Sequence, residues 1–135
     1  MVGQGRPGAD AKAIQDVVEQ FLLHVGDHEI DKIAADLAPK AIVLITRESD
    51  GHWSNTYLTR DEWLDSLKKS QTRFREPLKN VSVTIDSDQL AFVRADFDIV
   101  RDGKTVSHGV DQFTLLREPS GWKVAVVAFT SMPVR

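Results

Sequence analysis

Apolar residues recur every three or four positions in the first half of the chain and every second position in the last half. From Asp10, placed at the N-cap, Ile14, Val17, Val18, Phe21, Leu22 and Val25 repeat at helical spacing until Gly26-Asp27 interrupts them. That spacing predicts an amphipathic helix whose apolar stripe faces the core. Ile30, Ile33, Ala34 and Leu37 repeat the pattern over Glu29 to Leu37, and Pro39 prevents continuation, so a short second helix is expected. Ala41 to Thr46 is a continuous apolar run bounded by Pro39 and the polar Arg47 to Gly51 stretch, which reads as a buried strand. Thr59 then caps a third helix from Arg60 to Ser70, with Trp63, Leu64 and Leu67 on one face and Lys68 and Lys69 at its cationic end.

Beyond Pro77 the period becomes two. Four strands are expected at Asn80 to Asp86, Leu90 to Arg101, Lys104 to Arg117 and Gly121 to Ser131, separated by turn sequences at Asp86-Ser-Asp, Asp102-Gly103 and Pro119-Ser-Gly. Helices first and hairpin-linked strands after them is the order of an α+β domain with its helices on one sheet face. No repeat or linker divides the chain. Residues 1–9, rich in glycine, are expected to be a disordered lead, and residues 10–135 one domain.

Composition narrows the function. The 135 residues carry a net charge of −3, with no basic footprint for nucleic acid, and no run approaches the roughly 20 apolar residues that span a bilayer. Met1 to Ala13 lacks the apolar core of a secretory signal, so cytoplasm is the expected compartment. Without cysteine there is no disulfide, zinc knuckle or thiol nucleophile. The four histidines have no metal-ligand spacing, so neither a metal nor another cofactor is expected. Gly103-Lys-Thr105 reads as a hairpin turn, not a phosphate loop, and the charges from Arg73 to Lys79 as a solvated face.

The stretches Phe21-Leu-Leu-His-Val-Gly-Asp-His-Glu-Ile-Asp-Lys-Ile33, Leu37-Ala-Pro-Lys-Ala41, Val110-Asp-Gln-Phe113, Gly121-Trp-Lys-Val124 and Phe129-Thr-Ser131, in this element order, resemble the nuclear-transport-factor-2-like superfamily. Ketosteroid isomerases, SnoaL-type polyketide cyclases and limonene epoxide hydrolases share that fold. The resemblance implies a cone-shaped, curved antiparallel or mixed sheet wrapped around three N-terminal helices, with an apolar pocket between them. One fold of this kind hosts many functions.

Asp111 shares a strand face with Gly109, Phe113 and Leu115, apolar company that would raise a carboxyl pKa. The resemblance places it on the isomerases' oxyanion-stabilising aspartate; the rival reading is a solvated or ion-paired aspartate on the outer face. By the same register the isomerases' tyrosine falls at Phe21 and their general base near Ile45, both apolar, which argues against steroid isomerisation. Arg94 and Asp96, two apart on a strand, could form an inward arginine–carboxylate pair like that of the epoxide hydrolases, or a surface ion pair; their second aspartate falls at Phe129. Trp53 and Tyr57, read as loop residues, join Trp63, Phe21, Phe113 and Phe129 as candidate substrate-binding aromatics, with ordinary packing as the alternative. His108 alternates to the face opposite Asp111.

Two functions follow as expectations. The first is a SnoaL-like enzyme, an isomerase, cyclase or hydrolase acting through Asp111, Arg94 and Asp96 on a small lipophilic or polyketide-like molecule. The second is a non-catalytic ligand-binding or oligomerisation module. If Arg94 and Asp96 face inward, then Val93, Ala95, Phe97 and Ile99 face outward and require cover, which predicts a homodimer through the outer sheet face.

Overall fold

The computed structural model describes residues 7–134. Its elements run α1 (Pro7–Gly26), α2 (Ile30–Asp36), β1 (Leu37–Ser49), β2 (His52–Thr59), α3 (Arg60–Lys69), β3 (Leu78–Asp86), β4 (Leu90–Arg101), β5 (Lys104–Glu118) and β6 (Gly121–Pro133). The expected α+β order holds. α1 begins at Pro7, ahead of Asp10, so the helix takes in the end of the expected lead; residues 1–6 lie outside the described residues.

Six strands form one mixed, curved and unclosed sheet in the order β2-β1-β6-β5-β4-β3, with β1 and β6 parallel and the other neighbours antiparallel. β2 is the strand that hydrophobic patterning missed. It pairs with β1 from Ile42↔Thr59 to Ser49↔His52, and Asp50-Gly51 turns the hairpin with φ of 53° and 82°. Positive φ at both turn positions is what a two-residue hairpin matching strand twist requires, and Asp-Gly supplies it cheaply. Asp102-Gly103 does the same between β4 and β5, at 50° and 76°. β2 escaped notice because an edge strand exposed on both faces, His-Trp-Ser-Asn-Thr-Tyr-Leu-Thr, shows no apolar alternation.

α3 starts as expected. Thr59 Oγ1 accepts from the Glu62 amide at 3.2 Å and Glu62 Oε1 from the Thr59 amide at 2.9 Å, a reciprocal cap contributing about 1 kcal/mol. The core lies between the helices and the inner sheet face: Ile14, Val18, Phe21 and Ile33 meet Val43, Val93, Phe113, Leu115 and Val124, all fully buried. Each such side chain contributes roughly 1.5–3 kcal/mol by leaving water.

The β4–β5 register decides which residues can form a site. Ala95 pairs with Asp111 and Val93 with Phe113. Residues directly opposite on adjacent strands point to the same side, so Asp111 can face inward only with Val93, Ala95 and Phe97. Arg94 and Asp96 therefore face outward, their side chains 47% and 41% exposed and 3.7 Å apart. The expectation that these two residues point into the interior is corrected by this register. The outer placement expected for Val93, Ala95 and Phe97 is reversed with it, because these three are buried in the core.

Candidate active site

A cavity of about 620 Å³ opens between the helices and the inner sheet face. Its inner wall is aromatic. Phe21 from α1 packs edge-on to Phe113 of β5 at 6.1 Å and tilts against Trp63 of α3 at 5.9 Å, while Phe97 and Phe129 meet edge-on at 6.1 Å. Helical spacing brings Phe21, Leu22 and Val25 onto this wall, and strand alternation brings Ile45, Phe97, Phe113, Val127 and Phe129.

Asp111 projects from the middle of β5 into this surface and is 1% exposed, the most deeply buried charged residue among those described. The backbone beside it is specialised. A Cβ on Gly109 would run into the Thr130 carbonyl, and the Val110 amide donates to Thr130 Oγ1 at 2.8 Å. β5 and β6 thus approach closely just before Asp111, which only glycine allows.

The partner of Asp111 is Glu76. After α3 the chain returns across the cavity rim and makes one bridge to the end of β4. There the Arg75 amide donates to the Val100 carbonyl at 3.0 Å and the Val100 amide to that of Arg75 at 2.8 Å. The same segment is tied to the α1 terminus: the Phe74 amide donates to the Gly26 carbonyl at 3.1 Å, and Arg75 reaches Asp27 at 2.7 Å. Arg75 holds the Asp27 carboxyl below its usual range, chiefly through that hydrogen bond. Arg75 turns out toward Asp27, so its neighbour Glu76 turns in, and the two carboxyls hydrogen-bond to one another.

The electrostatics follow from burial. Asp111 Oδ2 is buried, and an ionised Glu76 could not donate to it. Burial pushes Asp111 up to about 6, an increase restrained by the hydrogen bond from Glu76. Burial also raises Glu76 well above the ordinary carboxyl value, and the adjacent Asp111 raises it further. Both shifts favour keeping a proton on the pair, and the stronger rise at Glu76 makes it the proton holder beside Asp111. A carboxylic acid and a carboxylate stand side by side in an apolar cavity.

The mouth is polar. Arg47, Thr56, Ser70, Arg101, Ser107 and Ser131 line it, together with His28, whose Nε2 lies 2.6 Å from the Thr72 carbonyl and Nδ1 3.3 Å from that of Leu67.

Of the residues singled out from sequence, Asp111, Phe21, Trp63, Phe113 and Phe129 meet in the cavity. Arg94 and Asp96 do not, for the reason of register above. Trp53 and Tyr57 also fail to reach it: they lie on edge strand β2, 52% and 73% exposed, and do not line this cavity. His108 is exposed on the opposite side, as its alternation predicts. The sequence places Glu76 in a run of charges expected to be solvated. Its one local signal is Pro77, which biases the residue before it to extended backbone. Among the described residues no three histidine or acidic side chains gather to hold a metal ion, and no helix is long and apolar enough to cross a membrane.

No protein-family model matches the chain, and no curated protein matches it by sequence. Solved structures match it by shape. An NTF2-like protein of unknown function from Pseudomonas putida KT2440 superposes with a TM-score of 0.72 at 13% identity, covering 93% of this chain and 89% of its own. A proposed dehydratase of the NTF2-like family from Streptomyces avermitilis gives 0.69 at 19% identity, covering 96% and 99%. The beta subunit of a proposed aromatic-ring-hydroxylating dioxygenase from Novosphingobium aromaticivorans gives 0.74 at 11% identity, covering 95% and 92%. The chain has the NTF2-like fold.

Proposed function

We propose that the protein is a small-molecule enzyme of the SnoaL-like kind that moves protons on a lipophilic substrate, with Glu76 and Asp111 as its acid–base pair. One observation carries this reading: two carboxyls, both shifted upward, lie together in an apolar cavity large enough for a small organic molecule. Burying them destabilises the fold, and a cavity with perturbed acids is where acid–base chemistry is expected.

The roles follow from protonation. Asp111, ionised above about pH 6, accepts a proton from a substrate carbon or hydroxyl. Glu76 delivers its proton to the developing or departing oxygen. The pair ends with one proton, now on Asp111, and transfer across their hydrogen bond restores the starting state. Dehydration, enolisation and cyclisation all fit this exchange, and the likeness to a proposed dehydratase favours the first.

The test is exchange or turnover with lipophilic hydroxy and keto compounds in D₂O, followed by mass spectrometry. Glu76→Gln and Asp111→Asn should each lower the rate at least about 100-fold, with the wild-type rate rising through about pH 6. Binding without exchange or turnover for any compound would leave the second reading, a non-catalytic module. Ile45 and Phe129 favour that alternative, being apolar at the positions where the resemblance implies chemical groups in relatives.

A further inference from the structure

The inner sheet face changes character along its strands. β1 runs Val43, Ile45, Arg47; β6 runs Val127, Phe129, Ser131; and β4 runs Phe97, Ile99, Arg101. On β5 the same face passes from Asp111 to Ser107. Arg47 pairs with Ser131 and Ile99 with Ser107, so two arginines flank two serines on a diagonal across four neighbouring strands at the cavity mouth. Neither arginine is in an ion pair with another described residue.

We infer that Arg47 and Arg101 form an anion-binding rim, and that the substrate is an amphipathic carboxylate bound head-out, with its uncharged reactive end against Glu76 and Asp111. This rests on the cavity being a substrate site, as proposed above. Two physical arguments support it. The inner pair carries a net negative charge at neutral pH, which repels an anion from the apolar end and leaves the mouth as its place. Guanidinium groups beside hydroxyls supply the fork of donors that a carboxylate accepts. Measured along their strands from the level of Asp111, Arg47 and Ser131 lie two residues away, Ser107 four and Arg101 six. The rim therefore spans roughly 7–20 Å from that level, at about 3.3 Å per residue.

The probe is 7-oxo-7-phenylheptanoate against its methyl ester, which differs in charge and not in the ketone. Calorimetric titration should show the carboxylate binding at least about tenfold more tightly, with its advantage shrinking as ionic strength rises. The double variant R47A/R101A should remove that advantage while leaving ester affinity within about twofold, and R47K/R101K should retain part of it. A thermal melt confirms that each variant is folded. Equal binding of acid and ester to the wild type, or an advantage that survives in R47A/R101A, overturns the anion rim and leaves the catalytic pair standing. If neither compound binds the wild type, the substrate-site reading falls and the inference falls with it.

Discussion

Replacing Asp111 with asparagine tests whether its environment is what the structure implies. A carboxyl moved from its ordinary 3.8 to about 6 binds its proton more tightly in the folded protein than in the unfolded chain. Between those values the native state holds more protons, so this group's contribution to stability is greatest below about pH 3.8. It is lost as pH rises through about 6. The loss amounts to about 3 kcal/mol when Asp111 is fully ionised. Asp111→Asn keeps the shape and a hydrogen bond to Glu76 but removes the charge. It should therefore be more stable than the wild type at pH 8, by at most about 3 kcal/mol, or about 10 °C in melting temperature for a chain this size. Glu76 remains buried and takes up part of the ionisation in the variant, which makes these figures upper limits. The assay is the melting temperature of both proteins from pH 4 to pH 8. The difference between them reports the Asp111–Glu76 pair, since the other carboxylates titrate alike in both. A difference near zero at pH 4 that grows in favour of the variant toward pH 8 is expected. A difference that stays flat, or a variant less stable at pH 8, would refute the buried, proton-sharing carboxyl on which the proposed chemistry depends.

Two further outcomes follow from the geometry. Gly109→Ala forces a methyl group against the Thr130 carbonyl and should cost roughly 1–3 kcal/mol in urea unfolding, with loss of any activity that Asp111 supports, whereas Gly103→Ala, which meets no atom but strains a turn residue at φ 76°, should lower stability and leave activity intact. The outer sheet face exposes Ile42, Leu44, Tyr57 and Phe92, which is the ground on which we propose a homodimer; Leu44→Glu should shift the mass measured by light scattering from two copies toward one, and an unchanged mass would rule out this face.

Spacing along the chain determined the helices and most strands, because period and turn chemistry are local properties. Phe21 and Phe113 could be assigned to an apolar interior for the same reason, and Asp111 stood out as a carboxylate in their company. Alternation alone could not say which face of β4 is inner, since shifting the frame by one residue exchanges Val93 and Phe97 for Arg94 and Asp96. That was settled by Ala95 pairing with Asp111, a contact between residues 16 positions apart. For Glu76 the local signal, an extended residue before Pro77, could not show that the side chain would be buried. It reaches Asp111 only because the β4 bridge and the α1 terminus together hold its segment over the cavity. Local patterning thus decided which elements form, and long-range pairing decided which two carboxyls meet, because no residue's neighbours in sequence encode the strand that will lie beside it.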